Sequence, residues 1–304
     1  MVLPTARSFH TQTPYGRLKG YRYGFPDAPA IVVQGGISAT GKLWTPSGDG
    51  WWQSLHRLFA DTDDYQFISF DYFGGLGGSD CPDTPLSVKE HSNAIHHAVQ
   101  SILPDDPLHG WIGGSFGGVL GLQYALDNPE SLERLSVIGA AHKPSVHSSL
   151  LRYFQQALIQ RCNDSQLGIV LARALAMLSY RSAEEFESRF SSSDDAFEYL
   201  LYKGERLLKE NGNSSRSLFT HLTPVLNEYS INPEPIETPV HLVDFTSDAI
   251  APPSLVTELE TLLPNCTSHV SVQSEYGHDG FIKNVPQYGT SLTHFLFETH
   301  LETT

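Results

Sequence analysis

An α/β fold, with a mainly parallel sheet, flanking helices and an inserted helical segment, is predicted by three features of the chain. Short apolar runs rich in β-branched and aromatic residues recur at "AIVVQG" (30–35), "YQFISFDYFG" (65–74), "LHGWIGG" (108–114), "RLSVIGAA" (134–141), "PVHLVDF" (239–245) and "SHVSVQS" (268–274). Several are nearly continuous rather than alternating, as strands buried on both faces are. Helical patterns lie between them, at "WWQSLHRLFA" (51–60), "VKEHSNAIHHAVQSIL" (88–103), "GVLGLQYAL" (118–126) and "PSLVTELETLL" (253–263). Such alternation builds a parallel sheet. Residues 143–230 carry helical patterns alone, and the proline-rich "INPEPIETP" (231–239) leads back to a strand. The expected organisation is a core domain from residues 1–142 and 237–304, with a helical lid inserted over 143–236.

Composition narrows the function classes. With 304 residues, 40% hydrophobic and 17% charged, the chain reads as a soluble globular protein with a sizeable core. The first twenty residues lack the apolar centre of a signal peptide. No run approaches the roughly 18 apolar residues of a membrane helix. Three widely spaced cysteines, Cys81, Cys162 and Cys266, fit a reducing cytoplasm rather than a disulfide framework. A net charge of −15 argues against nucleic acid as a partner. Residues 143–216 nevertheless hold 10 Lys and Arg against 9 Asp and Glu, leaving 9 against 25 elsewhere. An anionic substrate would most readily be held by this middle segment, although ordinary helix-surface charge reads equally well.

The stretch "GWIGGSFGGVLGLQYAL" puts Ser115 within G-x-S-x-G, after a short apolar run and before a helix. That is the setting of a nucleophile elbow, a sharp strand-to-helix turn that lifts a serine hydroxyl above the sheet edge. The N–H of Phe116 then becomes available to an oxyanion. A serine needs a base, and the base an orienting acid, in the chain order Ser, Asp, His. Asp248 follows the strand pattern "VHLVDF", and His278 follows "HVSVQS", so both fall in loops at carboxyl ends of strands, where sites in open α/β sheets gather. Asp244 is the rival acid but lies inside its strand. The second oxyanion donor is expected from "VVQGGISAT", with Gly36 or a neighbour supplying the N–H. The glycine-rich "DYFGGLGGSD" (71–80) is not G-x-G-x-x-G, so no dinucleotide site is expected, and it reads as a pocket wall. No H-E-x-x-H or C-x-x-C motif suggests a metal.

These residues argue for the α/β-hydrolase fold, and further motifs resemble one branch of it, the MetX-type homoserine O-acyltransferases. The resemblance rests on "GGSFGG" (113–118) with its following helix, "LARALAMLSYRSAEEFESRF" (171–190), "EYGHDGF" (275–281), and "GGISA" followed by "GWW" (50–52). It spans nearly the whole chain, which is short for that family, and "RCNDSQLG" replaces a longer lid loop. The resemblance implies that Arg173 and Tyr180 of the lid and Asp279 beside the histidine bind homoserine. Its carboxylate would go to Arg173, or alternatively Arg181, and its ammonium to Asp279.

The reaction implied is ping-pong acyl transfer from acyl-CoA through an acyl-Ser115 intermediate to L-homoserine, in methionine biosynthesis, with acetyl-CoA favoured over succinyl-CoA. No cofactor is expected beyond the acyl-CoA co-substrate. A homodimer joined through the lid helices is implied as well. The alternatives are a serine esterase or thioesterase with the same triad, and a catalytically dead binding protein.

Overall fold

The computed structural model describes residues 6–59, 64–104 and 106–297. Strand β1 (Arg7–Thr13) folds back on β2 (Gly16–Tyr23) through a tight turn at Pro14 and Tyr15. There the Thr13 hydroxyl donates to the Gly16 carbonyl (2.8 Å) and accepts from the Tyr15 N–H. After this hairpin come β3 (Ala30–Gln34), α1 (Gln53–His56), β4 (Gln66–Phe70), α2 (Val88–Ile102), β5 (Gly110–Gly114), α3 (Phe116–Asp127) and β6 (Leu135–Ile138). Six helices follow without a strand: α4 (Val146–Arg161), α5 (Ser165–Tyr180), α6 (Ala183–Arg189), α7 (Ser193–Asn211), α8 (Ser214–Ser217) and α9 (Thr223–Glu228). The chain closes with β7 (Val240–Phe245), α10 (Pro253–Leu262), β8 (Cys266–Val272), α11 (Gly280–Lys283) and α12 (Val285–Phe297).

The eight strands form one sheet in the order β1-β2-β4-β3-β5-β6-β7-β8. The β1–β2 and β2–β4 pairings are antiparallel and all others are parallel. Every residue of β3 to β7 is buried, because helices cover both faces. One apolar core packs α2 and α3 against the sheet and continues beneath the inserted helices to Ile159, Ile169 and Phe219. The other joins Trp44, Trp52, Phe281, Tyr288 and Leu292 on the opposite face.

Strand order reverses at β3, whose parallel neighbours are β4 on one side and β5 on the other. Loops leaving β3 and β5 therefore diverge and open a crevice above the carboxyl edge of the sheet. The inserted helices stand over this edge, with the Gly277 backbone against the end of α5. Among the described residues, no helix is long and apolar enough to cross a membrane.

All six strand patterns read from the sequence form strands, five of them shortened at their ends and the last, β8, starting and ending two residues earlier than its pattern. Three elements differ from expectation. The β1–β2 hairpin passes unnoticed because its residues are mixed and half-exposed. The pattern at 51–60 yields only the single helical turn Gln53–His56, and α12 is an unforeseen helix.

Candidate active site

Ser115 joins β5 to α3 with φ 54° and ψ −118°, and among the described residues it alone, apart from glycines, has positive φ. Such a conformation costs of order 1–3 kcal/mol and persists only where the surroundings over-determine it. Here they do. The Ser115 N–H donates to the Ile138 carbonyl of β6 (2.9 Å), and the Ser115 carbonyl accepts from Gly118 and Val119. Strand, turn and helix also touch through bare backbone. A Cβ on Gly113 would lie 2.3 Å from the Gly117 carbonyl oxygen, and one on Gly117 would lie 2.1 Å from that of Gln34. Any side chain at either position would push the serine out of place.

The loop after β3 is pinned beside this turn. The Gly35 carbonyl accepts from the Gly117 N–H (2.9 Å) and from the Tyr72 hydroxyl (2.5 Å). Gly36 is thereby held against the serine, close enough that a Cβ there would lie 3.8 Å from Ser115 Oγ. Among the described residues, the N–H groups of Gly36 and Phe116 have no acceptor.

His278 and Asp248 meet Ser115 from the loops after β8 and β7. Asp248 Oδ2 accepts from His278 Nδ1 (2.7 Å), and the Ser115 hydroxyl donates to His278 Nε2 (2.7 Å). A carboxylate only accepts, so it places the imidazole proton on Nδ1 and leaves the Nε2 lone pair for the hydroxyl. Asp248 Oδ1 takes the N–H groups of Ile250 (2.7 Å) and Ala251 (3.0 Å), which fix the carboxylate. His278 and Asp248 are both buried. Burial pulls the imidazole toward a lower pKa, but the charge and hydrogen bond of Asp248 outweigh it, so the net shift is upward. Asp244, the rival acid, is committed elsewhere: its oxygens accept from His269 Nε2 (2.6 Å) and the Ser271 hydroxyl (2.8 Å).

Of the three residues expected to hold the acceptor, Arg173 and Asp279 lie near the third, the half-buried Tyr180. Tyr180 lines a cavity with Ser115 and His278, and its ring centroid is 5.9 Å from that of His278. Burial raises the Tyr180 pKa, and both Arg173 and Asp279 act on it electrostatically. Arg173 is half-buried and lines neither of two cavities open to Ser115. Asp279 is paired with Arg181, Nε to Oδ2 at 3.3 Å, and Arg181 also pairs with Glu185 (3.5 Å). The glycine-rich loop 71–80 borders neither cavity, contrary to expectation. Its Asp71 instead accepts from the N–H groups of Gly41 (2.6 Å) and Gly78 (2.7 Å), tying the loops after β3 and β4 together.

One residue went unnoticed in the sequence. Arg152 of α4 borders both cavities together with Ser115 and His278. It lies on the buried side of α4 with Ser148, Gln155 and Ile159, while Val146, Leu150, Tyr153 and Phe154 face outward, 50–80% exposed. This lid helix has its polar side in and much of its apolar side out. A hydrophobic-period reading assigns the faces the other way round.

The alpha/beta hydrolase fold family matches residues 29–285, the greater part of the chain. The chain belongs to that family. Among relatives of this alpha/beta hydrolase is the homoserine O-succinyltransferase of Xanthomonas campestris pv. campestris, 28% identical over 91% of this chain and 78% of its own. The homoserine O-acetyltransferase of Haemophilus influenzae is 26% identical over 85% and 86%. Among solved structures, homoserine O-acetyltransferase from Staphylococcus aureus superposes with a TM-score of 0.83 at 22% identity, over 98% of this chain and 97% of that one. Esterase E22 superposes with a TM-score of 0.82 at 16% identity, over 96% and 99%. The resemblance read from the elbow, the "YRS" segment and the "YGHD" loop thus extends across the chain.

Proposed function

We propose that this protein is a homoserine O-acyltransferase working through an acyl-serine intermediate. The observation that carries the reading is the hydrogen-bonded run Asp248–His278–Ser115 under a canopy of helices. It is supported by relatives named for transfer of acetyl or succinyl groups to homoserine. His278 takes the Ser115 proton as Oγ attacks the thioester carbonyl of an acyl-CoA. A C–O bond forms, the C–S bond breaks, and the proton passes to the departing thiolate. The N–H groups of Phe116 and Gly36 face the oxyanion. Homoserine then brings its hydroxyl to His278, which removes the proton as the ester moves from Ser115 to the acceptor.

In this reading the acceptor's carboxylate goes to Arg173 and its ammonium to Asp279, around the Tyr180 hydroxyl, with Arg181 steadying Asp279. The acetyl preference expected from family breadth finds no support in the cavity walls, and the donor is taken here as an acyl-CoA. The only small molecules required are the acyl-CoA and L-homoserine, and three free thiols fit a reducing cytoplasm. The outward apolar stripe of α4 supports a homodimer through the lid.

The test is thiol release from acyl-CoA with and without homoserine. Release that rises with homoserine and yields an O-acyl product supports transfer. The likeness to esterase E22 favours a second reading, a serine esterase or thioesterase, for which release would be indifferent to homoserine.

A further inference from the structure

Tyr72 stands two residues beyond the end of β4 and is 3% exposed, in a loop that borders neither cavity beside the serine. Its hydroxyl nevertheless reaches the backbone of the site, donating to the Gly35 carbonyl at 2.5 Å. That carbonyl already accepts from the Gly117 N–H at 2.9 Å, so it needs no second donor to be satisfied. A phenylalanine would fill the same space without the hydroxyl. Burial raises the Tyr72 pKa, so the hydroxyl keeps its proton and remains a donor.

The Gly35 carbonyl and the Gly36 N–H are two ends of one planar, trans peptide unit. Two hydrogen bonds on the carbonyl therefore fix the direction in which the N–H points. They also polarise the peptide, which makes that N–H a stronger donor. Gly36 lies against the nucleophile, where a Cβ would come 3.7 Å from Ser115 Cβ. The Tyr72 ring meets the other donor residue, edge to face with Phe116 at 4.9 Å between centroids and 68° between planes. His91 packs edge-on against both rings, at 6.5 and 5.7 Å, and closes the cluster. One side chain outside the cavities thus touches the supports of both N–H groups that lack an acceptor.

We propose that Tyr72 is a positioning residue of the oxyanion hole: its hydroxyl aims the Gly36 N–H through the Gly35 carbonyl, and its ring backs Phe116. The inference rests on the acyl-Ser115 reading and is independent of which acyl donor or acceptor the enzyme takes. It gives the glycine-rich loop after β4 a part in the reaction without a place in the cavity wall. The loop is itself held for this task, by the Gly75 N–H on the Tyr72 carbonyl (3.0 Å) and by Asp71 on the N–H groups of Gly41 and Gly78.

The experiment uses Tyr72→Phe, which keeps the ring and removes only the hydroxyl. The probe is p-nitrophenyl acetate, which acetylates Ser115 with release of p-nitrophenolate and needs neither CoA nor homoserine, with Ser115→Ala as the blank. In Tyr72→Phe the burst rate constant at saturating ester should fall about tenfold, less than the loss of about 10²–10³-fold that follows outright removal of a donor. The KM for the ester, the pH limb set by His278 and the urea midpoint should stay as in the unaltered protein. With an isotope-labelled acetyl group, the infrared carbonyl band of acetyl-Ser115 should move to higher wavenumber, because its oxygen is held less tightly. Diethyl p-nitrophenyl phosphate, whose phosphoryl oxygen enters the same hole, should label Ser115 more slowly by a similar factor. An unchanged burst and an unmoved band would leave the phenol a packing residue and overturn the proposal. So would slowing confined to KM, slowing that carries the pH limb with it, or slowing without any movement of the band. If neither reagent labelled Ser115 in the unaltered protein, the acyl-serine reading would fall and this inference with it.

Discussion

Arg181 at the end of α5 reaches Asp279, the residue beside His278, with Nε 3.3 Å from Oδ2. Next to this pair, a Cβ on Gly277 would come within 2.7 Å of the Tyr180 carbonyl oxygen, and the Ser182 hydroxyl donates to the Glu275 carbonyl. The inserted helices are thus fastened to the very loop that carries the imidazole. Lid position and base position are one structural variable.

This fastening predicts a joint effect. Asp279→Asn leaves Arg181 largely buried with only Glu185, and should destabilise the fold by about 3 kcal/mol, the scale for breaking a buried pair. Denaturation midpoints measure that loss. Steady-state kinetics should show a higher KM for homoserine with a smaller change in the acyl-CoA term.

The raised His278 pKa sets the sign of the pH response. Only the neutral imidazole accepts the Ser115 proton, so kcat/KM should fall as the pH drops through a value above the ordinary imidazole pKa near 6.5. Asp248→Asn removes the carboxylate and leaves burial opposed by the weaker influence of Asp279 alone. Its limb should move to lower pH, and the rate should fall about 10³–10⁴-fold. A pH–rate profile of both proteins reads the two effects together.

Backbone strain at Ser115 gives a prediction independent of chemistry. Ser115→Gly and Ser115→Ala should both abolish turnover, but glycine relaxes φ 54° where alanine does not. Ser115→Gly should therefore be more stable than Ser115→Ala by about 1–2 kcal/mol, as measured by urea unfolding. Equal stability would mean the elbow is unstrained.

Away from the site, His269 sits between Asp244 (2.6 Å) and Glu260 (2.8 Å), and its pKa is raised chiefly by the Asp244 hydrogen bond. A raised folded-state pKa adds stability that is complete below the unfolded value and fades as pH rises through the folded one. His269→Gln should cost more stability at pH 6 than at pH 8.5, a difference that thermal melts at the two pH values resolve.

Sequence legibility followed how strongly local chemistry dictates structure. Ser115 was findable because an elbow needs glycines on both sides, and Asp248 and His278 because loops after strands are where such partners must stand. The β1–β2 hairpin was not, since half-exposed antiparallel strands carry mixed residues. Arg152 was hidden for a related reason. Its helix turns polar groups inward toward a cavity and shows Tyr153 and Phe154 outward, 58% and 62% exposed. A residue's face on a lid helix depends on what the cavity holds, and periodicity alone does not encode that. The excess of cations in the middle of the chain was the one available hint, and two members of that group, Lys143 and Arg152, line cavity walls beside the serine.

The most direct measurement is the fate of an acyl group on the Ser115 peptide after brief mixing with acyl-CoA. Mass spectrometry should find that peptide acylated, and addition of homoserine should clear it at least tenfold faster than water does, with O-acylhomoserine appearing in step. Turnover without any acyl group at Ser115, or clearance that homoserine does not accelerate, would contradict an acyl-serine route to this acceptor.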